Sequence, residues 1–359
     1  MSEWKEYKLE EITEPIKETY NPNGSDEYAY IGLEHIEQES LRLNSVGISS
    51  DVTSNKFKFL TNDVLFGKLR PYFRKVAQPQ FDGICSTDIW VFRVKNGFDQ
   101  DFLFYFLANW DFVDTANGGE GGTKMPRADW NFLKATSWNV PPITEQRAIA
   151  SILSSLDDKI DLLHCQNKTL EQLAETLFRQ WFVEGVEKTN KIYLGSVAEV
   201  GTGKGLLREE FIENGEYPIL GANGEIGRTN KFLTDERLIL TGRVGTLGKV
   251  YINESKVWIS DNVLIIKPTN EQFFYPIYFS LKKIDFENLN IGSTQPLVTQ
   301  TAVKNIELNI PSNELLNEFS IQCFTYFEKI SKNKFQIRTL TQLRDTLLPK
   351  LMSGELRVT

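Results

Sequence analysis

LEQLAETL at residues 170–177 can be laid over LTQLRDTL at residues 340–347, and the offset of 170 runs without a gap from Asn139 to Phe182 against Asn309 to Met352. Along it Asn139 meets Asn309, Pro141 meets Pro311, Lys159 and Ile160 meet Lys329 and Ile330, and Thr169 meets Thr339. Upstream, Gly122, Pro126 and Lys134 fall on Gly292, Pro296 and Lys304. Further back the shift drifts to 174, pairing Lys75 and Val76 with Lys249 and Val250 and Ser86 with Ser260. An internal repeat sets the architecture ahead of local propensity. The unit is a variable globular segment followed by a helix, used twice.

The helical part of each copy carries a seam. Ile149, Leu153, Leu156, Ile160, Leu163, Asn167, Leu170, Ala174, Leu177 and Trp181 alternate steps of four and three, which is a heptad pattern. Pro141 and Pro142 precede it, Thr144 is a candidate N-cap and Gly185 follows, so the helix should run about 38 residues, or roughly 57 Å. The second seam is Phe319, Cys323, Tyr326, Ile330, Asn333, Ile337, Leu340, Arg344, Leu347 and Leu351, interrupted at Asn333 and Arg344. Each helix could pack on its own domain. If they pair, the first carries the chain from domain one to domain two and the second starts at domain two, so the pair is antiparallel and the termini meet near domain one. Asn167 and Asn333 are then candidates for fixing register, or else face solvent.

The expected architecture is α+β: two mixed α/β domains separated by a pair of long antiparallel coiled-coil helices, with an internal pseudo-two-fold repeat. Domain one covers residues 1–142, the first helix 143–185, domain two 186–311 and the second helix 312–359. Strand-like runs include Asp88–Val94, Arg237–Gly242, Lys249–Ile252 and Asn262–Pro268, while Asp101–Asn109 and Phe273–Leu281 read as short buried helices.

Composition narrows function by exclusion. No apolar run reaches membrane-span length and no signal-peptide core opens the chain, so a cytoplasmic protein without membrane contact is expected. Cys85, Cys165 and Cys323 are isolated, and with only His35 and His164 beside them no metal-ligand spacing appears. GTGKG at Gly201–Gly205 lacks the spacing and the hydroxyl of a phosphate loop, and the glycine triplets at Gly221–Gly227 and Gly242–Gly248 read as turns. No nucleophile and base can be paired, so no catalytic residue is expected.

Net charge is −8, and no segment is basic overall: residues 1–142 hold 15 basic against 21 acidic side chains, and residues 189–311 hold 13 against 14. A polyanion site would therefore be a local patch. Lys56, Lys58, Lys68, Arg70, Arg74 and Lys75 face only Asp63 in sequence, and Arg228, Lys231, Arg237, Arg243 and Lys249 recur in the second copy against Asp235 and Glu236. Such runs are also what a solvated strand face looks like. Each copy then has a glycine-rich loop before a short helix, with Thr123, Lys124 and Arg127 in the first and Ser293, Thr294 and Gln295 in the second; Lys204 lies in a third such loop. Arginine can fork onto guanine and glutamine onto adenine, which makes Arg70, Arg127, Arg228, Arg243 and Gln295 the candidates for reading bases.

PPITEQ at 141–146 and LLPKLMSGEL at 347–356, set in the order variable domain, helix, variable domain, helix, closely resemble the specificity subunit of type I restriction-modification systems over essentially the whole chain. The resemblance implies two target-recognition domains, each reading half of a bipartite site in double-stranded DNA. It also implies helices that act as spacer and dock two methyltransferase (modification) subunits. Those partners would bring S-adenosylmethionine, and restriction/translocase subunits would bring ATP and Mg2+, with none bound by this chain. The second copy departs from the pattern: Ser312, Asn313 and Glu314 replace Pro-Ile-Thr, and Leu316 replaces Gln146, so the resemblance does not carry equal partner contact to both ends. The competing readings are a structural scaffold joining proteins and a free-standing DNA-binding regulator.

Overall fold

The structure is a computed structural model that describes residues 4–22, 26–118, 125–184, 190–245, 247–292 and 295–358. The chain divides into two compact units, Met1–Leu163 with Phe335–Thr359, and His164–Lys334.

In the first unit, a four-stranded sheet runs in the order Thr13–Ile16, Ile89–Val94, Val64–Gly67, Val76–Ala77, all neighbours antiparallel. A five-stranded sheet, Thr19–Tyr20, Lys56–Phe59, Gly83–Ser86, Ala29–Ile31 and Gly47–Ile48, completes the unit's main β structure. Helix Gln100–Ala108 begins at Asp99, whose carboxylate caps the Phe102 amide, and is buried nearly all round by the unit's aromatic core. The second unit repeats the four-stranded order with Ala198–Thr202, Val263–Pro268, Leu238–Gly242 and Val250–Asn253. Val91 pairs with Ile16, and 174 residues on, Ile265 pairs with Gly201. Helix Phe274–Lys283 stands where Gln100–Ala108 stands in the first unit, and the smaller sheet here has three strands, Gly224–Thr229, Tyr217–Gly221 and Trp258–Ile259.

The long helices are Ile143–Phe178, continued by a π-helical stretch Arg179–Glu184, and Asn313–Met352. All ten heptad positions of each are buried or half-buried. Within the first unit Asp157 of one helix faces Arg344 of the other, and Glu145 binds Arg357 just past the second helix. Within the second unit Asn167 faces Asn333, and Phe182 stacks on Phe319 at 4.7 Å. In each unit, numbers fall along one segment as they rise along the other, so the segments are antiparallel. Asn333 donates to Asn167 at 2.9 Å and both are buried. Arg344, read in the sequence as an interruption, is 1% exposed and fully engaged.

The PPITEQ residues are structural. Gln146 is buried, donating to the Pro141 carbonyl and accepting from the Asp99 amide, while Glu145 accepts from Trp4 and from Arg357. Leu316, at the place of Gln146, lies in the apolar core of the second unit. The departure in the second copy at that position is therefore a core exchange and not a change of surface.

The three thiols differ in reach. Burial, with Asp63 adding to it, pushes the Cys85 thiol up to about 12, and burial pushes Cys323 up as well; Cys165 is exposed. Because the thiolate is the reactive form, iodoacetamide at mildly alkaline pH is expected to modify Cys165 alone in the folded chain and all three thiols in urea. Mass spectrometry of the labelled peptides checks this, and comparable labelling of Cys85 in the folded chain would contradict its burial.

Candidate nucleic-acid interface

The basic run after Val64–Gly67 forms a loop of special backbone. Arg70 and Arg74 have φ of 54° and 47°, left-handed values that cost a side-chain-bearing residue roughly 1 kcal/mol or more each. In the second unit the corresponding loop puts Gly245 and Gly248 there, at 80° and 82°. Both loops are pinned to the segment leading into a short helix, by the bridge Leu69–Arg127 in one unit and Val244–Leu297 in the other. The Arg70 amide donates to the Pro126 carbonyl, and the Gly245 amide donates to the Pro296 carbonyl. The Lys68 amide donates to the Asp88 carbonyl, as the Arg243 amide does to the Asn262 carbonyl.

These pairings correct the sequence alignment of the two loops. The counterpart of Arg243 is Lys68, and the counterpart of Arg70 is Gly245. Arg70 and Arg243 nonetheless share one property: the Nε of each is buried with no hydrogen-bond partner among the described residues.

Around the first loop, Lys68, Arg70 and Arg127 converge, with Asp88 at 3.3 Å from Arg127. Burial holds the Lys68 ammonium below its ordinary value, Arg127 and Lys17 push the same way, and Asp88 opposes them. Lys17 and Asp88 were not singled out by sequence. Lys17 follows the strand Thr13–Ile16 and Asp88 precedes its partner Ile89–Val94, so pairing places them together; the 174-residue drift was the one available signal. In the second unit Arg243 is joined by the exposed Lys204, whose amide donates to the Ile259 carbonyl beside Asn262, and by exposed Gln295 next to Pro296.

Other candidates are committed elsewhere. Lys56 is buried, its Nζ donating to the Ser54 carbonyl and hydroxyl at 2.7 Å. Arg74 is buried, its Nε donating to the Ala108 carbonyl at 2.6 Å, its Nη1 reaching Asp345 and its guanidinium lying over Trp110. Lys75 donates to the Leu33 carbonyl and Lys58 pairs with Glu18. Arg228 spends its donors on Gly215, Glu216 and Glu225, clamping its own hairpin. Each charge was legible; its direction was not, because the partners lie on other strands. Thr123, Lys124, Ser293 and Thr294 lie outside the described residues. Among the described residues no group of histidine, cysteine and carboxylate side chains could hold a metal, and no helix is long and apolar enough to cross a membrane.

Comparison with known proteins gives one consistent result. The family described as Type I restriction modification DNA specificity domain matches residues 1–172 and 187–322. The type I restriction enzyme MjaIX specificity subunit of Methanocaldococcus jannaschii is 27% identical over 308 residues, 74% of this chain and 71% of that protein. The HindI specificity subunit of Haemophilus influenzae is 23% identical over 99% of this chain and the whole of its own length. The crystal structure of a type I restriction-modification S subunit from M. genitalium aligns with a TM-score of 0.61 at 19% identity, covering 99% of this chain and 97% of that one, which shows a shared fold.

Proposed function

This chain belongs to the type I restriction modification DNA specificity family, and from that premise we propose that it reads a bipartite site in double-stranded DNA, one half-site per unit. The observation that carries the reading is the pinned basic loop found at the same place in both units, each with a buried arginine Nε left for an acceptor that the partner molecule must bring. A phosphate or a base edge is such an acceptor. Arg70 and Arg127 in the first unit, and Arg243 and Gln295 in the second, are assigned to bases; Lys68, Lys17 and Lys204 are assigned to phosphates, as compact point charges suit that task. The antiparallel helix segments act as a coiled-coil spacer and dock two methyltransferase subunits. Their exposed apolar side chains, Leu162, Leu173, Ile321, Phe324, Phe335 and Leu343, supply the kind of surface such docking needs. S-adenosylmethionine chemistry, and any ATP-driven and Mg2+-dependent step by restriction/translocase subunits, then belongs to the partners.

Arg243→Ala is expected to lower discrimination at the second unit's half-site by about 1–3 kcal/mol, the worth of one bidentate base contact, and to leave the other half-site unchanged. Arg70→Gly should do the converse; glycine is chosen because Gly245 holds the equivalent left-handed position. The measurement is binding of the assembled complex to duplexes altered in one half-site at a time. Equal weakening on all sequences with a smaller salt slope would assign these arginines to phosphates instead.

A further inference from the structure

The loop Lys68–Lys75 is tied to the second long helix by side chains the proposed DNA contact does not use. Arg74 Nη1 donates to Asp345 Oδ1 at 3.4 Å, and the same oxygen accepts from Arg344 Nε and Nη2 at 3.2 and 3.1 Å. Arg344 Nη1 reaches Asp157 Oδ1 at 2.8 Å and the Ser40 carbonyl at 3.1 Å, and Asp157 accepts the Tyr105 hydroxyl at 2.8 Å. Two guanidinium groups and two carboxylates balance, and both arginines are almost wholly buried.

The second unit shows that the fold does not demand this network. At the offset of 170, Arg344 and Asp345 correspond to Ala174 and Glu175, and Asp157 corresponds to Phe327; at 174, Arg74 corresponds to Gly248. Ala174 and Phe327 lie in that unit's apolar core, and Tyr275, at the place of Tyr105, packs on Phe327 at 4.8 Å. Apolar packing fills in one unit what a charged network fills in the other. What the network adds in the first unit is a link from the helix to the loop carrying Lys68 and Arg70.

We propose that Arg74, Asp345 and Arg344 are positioning residues through which the second long helix sets the attitude of the loop Lys68–Lys75, so that base selectivity in the first half-site, and only there, depends on the helix. This rests on the reading of Arg70 and Arg127 as DNA contacts. None of the three touches DNA. A subunit docked on the helix would thereby act on one reader and not on the other.

The test compares wild type, Asp345→Asn and Asp345→Glu in the full chain with its methyltransferase partners. Asp345→Asn is expected to reduce selectivity at the first half-site roughly tenfold, the lower range of one base contact, and to leave the second half-site unaltered. Asp345→Glu should restore most of it by keeping the charge. Amide exchange of the free chain should quicken at Phe73 and Arg74 in Asp345→Asn, a readout that needs no DNA. Equal loss at both half-sites, failure of rescue by glutamate, or unchanged first-site selectivity would each overturn the proposal. If the wild-type complex itself shows no half-site selectivity while exchange still quickens, the DNA-reading assignment has failed and the loop's attachment to the helix stands without that role.

Discussion

Arg344→Ala is expected to destabilise the first unit by about 3–5 kcal/mol, the cost of removing one partner from a buried ion pair. Burial opposes the Arg344 charge most strongly, yet Asp157 and Asp345 together outweigh it and hold the guanidinium above its ordinary value. Asp157, by contrast, is pushed up chiefly by burial even with Arg344 beside it. Deleting the arginine therefore strands a poorly hydrated carboxylate, the Ser40 carbonyl and one flank of Asp345. Five of the seven tryptophans, Trp4, Trp90, Trp110, Trp130 and Trp138, lie in this unit, so urea unfolding followed by tryptophan fluorescence reports mainly on it. Arg344→Ala combined with Asp157→Phe installs the pair that the second unit carries at Ala174 and Phe327, and should recover more than half of the loss. A single-variant loss below about 1 kcal/mol, the range of an exposed pair, would mean the network contributes little to stability.

The other large effect concerns spacing. Inserting one heptad in each long helix, after Leu163 and after Lys334, adds about 10.5 Å of rise and a residual turn of roughly 20°. At about 3.4 Å per base pair, the proposed spacer function predicts a non-specific gap about three base pairs longer, with both half-site sequences intact. The insertion points leave Asn167 with Asn333 and Asp157 with Arg344. A point nearer Phe178 would pull that ring and Phe182 off Phe319 and damage the second unit's core. Methylome sequencing of cells carrying the variant reads the gap directly. Retained methylation at the original spacing would mean the helices do not set the separation.

The sequence by itself determined the features that depend on local periodicity. Heptad spacing was enough to say which helix faces are buried from Ile149 to Trp181 and from Phe319 to Leu351, because 3.6 residues per turn puts such positions on one stripe whatever the partner is. The runs Asp88–Val94 and Asn262–Pro268 announced strands for the same kind of reason, as β-rich apolar stretches bounded by polar residues. The family was legible because PPITEQ and the C-terminal LLPKLMSGEL are contiguous. Tertiary structure alone decided what each charge does. Arg74 and Arg70 sit four residues apart in one basic run, yet one is buried against Asp345, 271 residues away, and the other keeps a donor without a partner. Arg344 broke the apolar pattern of its helix and is one of its most buried side chains, since Asp157 lies 187 residues back in the chain. A loop one residue longer in one unit misaligned Arg70 with Arg243, and strand pairing put Lys68 there instead. A buried charge is stable only beside its counter-charge, and nothing local in a sequence says which distant residue will supply it.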